Sequence, residues 1–208
     1  MNYQVSAVVR NSQENRALAE GNLQDTILRA QQLQATYPYV KQVKDKPDYF
    51  GAAKGKNLII VQMESLQNFP IGQSLNGQEL TPVMNQLADS GFYFPHVFQQ
   101  IGQGNTSDAE FAVNTSIYPT GTTAMSTGFG NKELPGLPRT LNEHGYDTGT
   151  FHVNDVKFWD RSKMYPALDF QHYYDKPYFT NDYYNEFGPS DEELFRVGVE
   201  KLLENEQQ

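Results

Sequence analysis

From Asn57 onward the chain alternates short β-branched runs with helix-like segments, and no other feature constrains its fold as strongly. "NLIIVQM", residues 57–63, is an apolar run suited to a fully buried parallel strand. "LTPVMNQLADSG" carries helix punctuation: Thr81 at the N-cap, Pro82 at the first helical position and Gly91 past the end. "FYFPHVFQQ" reads as a strand or an extended edge, with Pro95 against a central position. "LPRTLNEHGYDTGTFHV" gives a short helix, a stop at Gly145 and a strand running into His152; "LDFQHYY" supplies a last strand. "PSDEELFRVGVEKLLENE" opens with capping-box spacing, Ser190 to Glu193, and runs apolar at Leu194, Val197, Val199 and Leu202. Such alternation predicts an α/β fold, a mostly parallel sheet flanked by helices. A sheet of this kind normally continues past such a helix. The chain therefore reads as truncated, with a strand edge and an apolar face for a partner fragment to cover.

Residues 1–50 have a different texture, rich in Gln, Asn, Ala and charge. In "LQDTILRAQQLQATY" the residues Leu23, Ile27, Ala30 and Leu33 share one helical face. We read 1–50 as a helical linker arm, ending in the turn-prone "VKDKPDYFGAAKGK", and 51–208 as the catalytic-type portion. No internal repeat is visible.

Composition removes several function classes. A formal charge of -9 without a cluster of Lys and Arg argues against nucleic-acid binding. The absence of Cys rules out thiolate metal sites and leaves oxygen and imidazole donors. No run approaches the roughly 20 apolar residues that span a bilayer, and the N-terminus has no signal-peptide pattern.

The junction "IGQGNTSDAEFAVNTSIYP", residues 101–119, places small hydroxyls between glycines and a helix-like run. Ser107 and Glu110 have capping-box spacing, which starts a helix at Ser107 and sets Thr106 just before it. A hydroxyl there faces the positive helix end and unpaired backbone N–H groups, which favour an alkoxide or an attached phosphate. Gly102 and Gly104 would let backbone approach a ligand closely. An ordinary capped loop explains the same residues. A threonine nucleophile needs a base or a metal, and Glu64, directly after "NLIIVQM", stands where α/β sheets gather ligands. A solvated loop acid is the plain alternative.

Taken together, "KNLIIVQMES", "GQGNTSDAEF", "SIYP" and "FHVNDVKFWDRSKMY" resemble the extracellular catalytic domain of lipoteichoic acid synthases. These are polyglycerol-phosphate transferases of the sulfatase and alkaline phosphatase superfamily. The likeness runs from about Tyr49 to at least Phe179, and the arm before it resembles that family's helical connector. The resemblance implies Glu64 as ligand to a divalent ion, Mn²⁺ or another such as Mg²⁺. It implies Thr106 as both ligand and nucleophile, passing through a glycerophosphoryl-threonine. His152, Trp159 and Arg161 match positions that hold the glycerol phosphate. Arg161 can fork onto phosphate oxygens, Trp159 offers a flat apolar wall, and His152 can donate to a phosphate oxygen. His96, His144 and His172 read as structural. The family's location is the outer face of the cell membrane. Its partners are phosphatidylglycerol and the glycerol-phosphate polymer, with a membrane surface beside them in the full-length protein.

The family completes its metal site with a downstream Asp-His pair that has no match here. Asp182, Glu186 and Asp191 read as loop and helix-start charges. Glu64 and Thr106 alone fall short of the about six oxygens such an ion takes, so weak binding and no turnover are expected of the chain by itself. Two alternatives stand beside the transferase: a metal-dependent phosphodiesterase or sulfatase-like hydrolase, and a non-catalytic fragment that binds a partner. Sulfatase chemistry of the formylglycine kind is disfavoured by Thr at the nucleophile position.

Overall fold

The computed structural model describes residues 21–29, 31–32, 35, 48–180 and 185–205. Its contacts divide the chain into two units, residues 1–60 and 61–208. In the first, residues 21–29 are helical, with Leu23, Ile27 and Leu28 exposed. Ala30 and Leu33, the rest of the anticipated apolar stripe, lie outside the described residues. The stretch at 48–56 turns as its composition predicts. Tyr49, Gly51 and Gly55 take positive φ, and Ala52 N–H and Lys54 N–H donate to the carbonyls of Tyr49 and Gly51.

The second unit contains a small hairpin, β1 (Ser74–Leu75) and β2 (Gln78–Glu79), paired antiparallel. Asn76-Gly77, both at positive φ, makes the two-residue turn, the geometry this dipeptide favours. Helix α1 (Pro82–Ser90) begins and ends where the punctuation puts it. Thr81 does not cap it with its side chain; its hydroxyl donates to the Pro70 carbonyl and to Asn85 Oδ1. Helices α2 (Thr106–Thr115), α3 (Met125–Phe129) and α4 (Leu137–Glu143) follow. Gly145, at φ +81°, closes the turn after α4.

Strand β3 (Gly149–Phe151) pairs in parallel with β4 (His172–Tyr174), in the register Gly149 to His172 and Phe151 to Tyr174. The ladder runs one residue further, with His152 N–H donating to the Tyr174 carbonyl. Between the two strands lies α5 (Arg161–Ala167), a right-sized crossover for a parallel pair. Helix α6 (Asp191–Asn205) closes the described chain. Its capping box forms by half: Glu193 N–H donates to Ser190 Oγ, while the Glu193 carboxyl turns to Thr180 N–H and Arg196. Two guanidinium bonds outcompete a reach back to one N–H. No helix among the described residues is long and apolar enough to cross a membrane.

Two expectations fail. Neither 57–63 nor 92–100 is a strand; among the described residues nothing ladders with either. Leu58, Ile59, Ile60, Val61 and Met63 are exposed, as are Phe92, Phe94, Val97 and Phe98. A doubly buried strand needs a neighbour in the sheet and cover on both faces; among the described residues these runs have no ladder partner, and their apolar side chains are exposed. The described residues thus hold an α/β arrangement with a parallel pair and a separate antiparallel hairpin, while those two runs stay outside both sheets.

The core lies under the start of α2. Phe111, Met125, Met164, Tyr165 and Leu168 form it, with Leu134, Val156 and Phe170 packed against it. It joins α2, α3 and α5, so the segment around Thr106 and the segment around Arg161 share one packed base. Each such side chain contributes about 1.5–3 kcal/mol of burial.

Candidate active site

Thr106 is the first residue of α2 rather than the one before it. Asn105, at φ 42°, breaks the chain direction just ahead, and Ala109 N–H donates to its carbonyl. The expected capping box does not form. Ser107 Oγ donates to the Gly104 carbonyl, and Glu110 binds Arg161 instead. A buried guanidinium offers Glu110 several charge-assisted bonds against one from a cap.

The loop before the helix is held by a residue that sequence patterning missed. Asp108 is fully buried, and its carboxyl oxygens accept from Gly102 N–H at 2.9 Å, Gly104 N–H at 2.9 Å and Met125 N–H at 2.7 Å. This explains the glycines differently from ligand approach. Neither has positive φ, but a Cβ on Gly104 would sit 2.7 Å from Asp108 Cγ and from Ser107 Oγ. A Cβ on Gly102 would stand 2.8 Å from Gly121 Cα. The glycines make room for Asp108 and for the neighbouring turn. An acid two residues into a helix, after a glycine-rich loop, was the available signal.

Glu64 follows the extended run 57–63 and precedes a left-handed residue, Ser65 (φ 57°). Thr106 Oγ1 donates to Glu64 Oε2 at 2.7 Å, and Gln62 Nε2 donates to the Thr106 carbonyl at 3.2 Å. Two residues 42 positions apart thus place a hydroxyl and a carboxyl oxygen side by side, on the exposed side of the unit. Adjacent hard oxygens suit a divalent cation such as Mg²⁺ or Mn²⁺, as part of its shell. Among the described residues, no group of three or more His, Cys, Asp and Glu is placed to hold an ion.

The second block, 152–165, is laced onto itself. Asn154 N–H donates to His152 Nδ1 at 3.1 Å, Lys157 N–H to Asp155 Oδ1, and Ser162 N–H to the Val156 carbonyl. Because Nδ1 accepts, the neutral ring carries its proton on Nε2. Burial, then the charge of Arg161, lower the His152 pKa from 6.5 to about 4, against a smaller opposing effect of Glu110. His152 is thus a neutral Nε2–H donor at physiological pH.

Arg161 is only 1% exposed. Its Nε donates to both Glu110 oxygens at 3.1 and 3.0 Å, Nη2 to Oε1 at 2.5 Å, and Nη1 to the Phe158 carbonyl at 3.2 Å. Tyr165 O–H donates to Glu110 Oε2 at 3.1 Å, and burial first, then Glu110, raises its pKa. Most of the Arg161 fork is therefore committed within the chain. Trp159 is half-buried at φ 59°, edge-on to Phe158 with ring centroids 5.6 Å apart. The other histidines do structural work where contacts are seen. His144 Nδ1 meets the Thr140 carbonyl, and His172 Nε2 lies 3.1 Å from Asp147.

The geometry therefore brings Glu64 to Thr106, and His152 to Arg161 through their mutual electrostatics. The two groups are linked by α2, which carries Thr106 at its start and Glu110 one turn on.

His152 gives a stability signature. Above pH 6.5 the ring is neutral in both folded and unfolded chains. Between 6.5 and about 4 the unfolded chain takes a proton that the folded one refuses, so acidification lowers stability in that window. The full decline is about 3 kcal/mol. Urea midpoints measured from pH 7 to 4 should fall less steeply in His152→Asn than in the natural sequence. Parallel profiles would show that His152 titrates normally.

The sulfatase family pattern matches residues 56–208. Lipoteichoic acid synthase 2 of Bacillus subtilis (strain 168) is 38% identical over 173 residues, which are 80% of this chain and 26% of that protein. The chain thus spans about a quarter of the length of that relative. The crystal structure of the lipoteichoic acid synthase LtaP from Listeria monocytogenes superposes with a TM-score of 0.76 at 42% identity, over 79% of this chain and 40% of that one. An alkaline phosphatase superfamily protein from Vibrio parahaemolyticus shares the fold, with a TM-score of 0.56 at 23% identity, over 66% of this chain and 34% of that one.

Proposed function

The chain belongs to the sulfatase family, and from that premise we propose that it carries the nucleophile of a glycerol-phosphate transferase of lipoteichoic acid synthesis. The observation that carries this is the Thr106 hydroxyl at a helix start, bonded at 2.7 Å to Glu64. Similarity to named lipoteichoic acid synthases supports this reading, and on it we assign phosphatidylglycerol as donor and a growing glycerol-phosphate polymer as acceptor.

Thr106 Oγ1 attacks the phosphorus of phosphatidylglycerol. A bond forms from Oγ1 to phosphorus, and the bond from phosphorus to the diacylglycerol oxygen breaks. The Thr106 proton leaves along its hydrogen bond toward Glu64 Oε2, and the departing diacylglycerol oxygen takes up a proton, so the step balances. A terminal hydroxyl of the polymer then attacks the glycerophosphoryl-threonine and frees Oγ1. The positive end of α2 favours the phosphorylated state. His152 donates its Nε2–H to a phosphate oxygen, Arg161 lends its positive charge to the phosphate beside it, and Trp159 walls the glycerol.

Glu64 and Thr106 would hold a divalent ion, Mn²⁺ by family likeness, which when bound supplies charge neutralisation of phosphate and activation of a hydroxyl. Two donors are few for such an ion, and we assign the rest of its shell to parts of the intact protein outside this chain. On this reading the 208-residue chain is an inactive portion by itself, with residues 1–50 as the arm and 51–208 as the start of the catalytic domain. The intact enzyme works at the outer membrane face.

The test is to incubate intact protein with phosphatidylglycerol labelled in its terminal glycerol, quench in acid and map the peptides. Label on the peptide containing Thr106, chased off by acceptor polymer, is the expected result. Label on water-released glycerol phosphate without transfer points to a hydrolase. No label on protein and no product overturns the reading and leaves a partner-binding role.

A further inference from the structure

Resting on Trp159 as a substrate-contacting residue, we propose that Glu110 is a positioning residue that, through Arg161, holds the left-handed turn aiming Trp159. Thr106 and Glu110 are four residues apart on α2 and so lie on one face of it, one turn apart. The carboxyl of Glu110 grips the Nε–Nη2 edge of Arg161. The same guanidinium then donates from Nη1 to the Phe158 carbonyl at 3.2 Å, bridging back over Trp159 and Asp160.

That bridge spans an unusual piece of backbone. Trp159 lies at φ 59°, ψ 28° and Asp160 at φ 50°, ψ 28°, two consecutive non-glycine residues in the left-handed region. A bulky residue takes this conformation only where its surroundings over-determine it. Local bonds contribute: Asp160 N–H to the Lys157 carbonyl at 3.0 Å, Ser162 N–H to the Val156 carbonyl at 2.9 Å, and an ion pair from Lys163 to Asp160 at 3.2 Å. These tie the turn to itself. In this arrangement Arg161 and Glu110 tie it to the helix that bears Thr106. The distance between indole and nucleophile is then set through one rigid element and one forked ion pair.

Trp159 is the chain's single tryptophan, so its fluorescence reports the turn directly. The experiment measures acrylamide quenching and emission maximum in the 208-residue chain and in Glu110→Gln, with thermal melts alongside. Leu168→Ala is the control, since it weakens the same core and leaves the Glu110–Arg161 pair in place. The expected result is a higher quenching constant and a red shift in E110Q beyond any seen in L168A, at temperatures where both are folded. Unchanged quenching in E110Q, or an equal change in L168A, overturns the proposal. If E110Q does not fold, E110D is measured instead; it keeps the charge and shortens the reach, and the same outcomes decide. In the intact protein, E110Q should lower kcat/KM about 100-fold, the scale of a misplaced contact remote from the chemistry. Transfer that survives Thr106→Ala would sink the nucleophile assignment while leaving the fluorescence result standing.

Discussion

Thr106→Ala in the intact protein is expected to abolish release of diacylglycerol from phosphatidylglycerol, a loss of about 10⁴-fold or more, the scale seen when a covalent nucleophile is removed. The reason is chemical rather than architectural. Thr106 is partly exposed, and its hydroxyl makes one side-chain bond, to Glu64. Alanine keeps helix α2 and loses only that bond, so the melting temperature should move little, as for most surface substitutions. Thr106→Ser retains the oxygen in the same place and should keep a measurable rate. Loss of transfer with the fold intact, together with recovery by serine, identifies the oxygen as the reacting atom. Transfer that persists in T106A would show that another group carries the phosphate. A variant that unfolds would contradict the reading of its side chain as functional rather than structural.

The start of α2 was legible in the sequence to within one residue because its surroundings are local. A glycine-rich loop, a hydroxyl and a helix start lie within a few residues, and the backbone follows such signals. The same locality made α1, α4, β3, β4 and α6 readable from caps, stops and short apolar runs. Where the sequence misled, a long-range partner decided the outcome. "NLIIVQM" has the composition of a central strand, yet Ile59 is 67% exposed, because strand formation needs a neighbour that no local pattern can supply. Glu110 sits at the spacing of a capping residue, and a guanidinium 51 residues away claims it. Arg161 reads as a substrate grip, and what the sequence did not show is that much of its guanidinium is also spent on Glu110 and Phe158, partners that only the fold brings to it. Asp108 went unread in the sequence, and the fold shows its carboxyl accepting from three backbone N–H groups. The Asn76-Gly77 hairpin, by contrast, carried a plain local signal that patterning of the longer runs passed over.

The second large effect is on stability, at Asp108. Asp108→Ala is expected to destabilise the second unit by about 3 kcal/mol or more, since each buried N–H left without an acceptor costs about 1–3 kcal/mol and three lose theirs, one of them part-buried. Against a typical stability of about 5–15 kcal/mol, this brings the unit near its threshold. Asp108→Asn keeps one carbonyl oxygen but turns an NH₂ toward a donor, so its cost should fall between the two. Urea denaturation followed by circular dichroism measures both. The glycines then supply an independent check. Gly104→Ala alone drives a Cβ to 2.7 Å from Asp108 Cγ in a fully buried site, and should be costly. In the D108A background that carboxyl is gone, and the same Gly104→Ala should cost less, the non-additivity expected of two groups in contact. Equal penalties in both backgrounds would mean that Gly104 answers to Ser107 or to the backbone, and that the carboxyl is not what shapes the loop carrying Thr106. A penalty that shrinks with the carboxyl removed ties the glycines, the acid and the position of the threonine into one device.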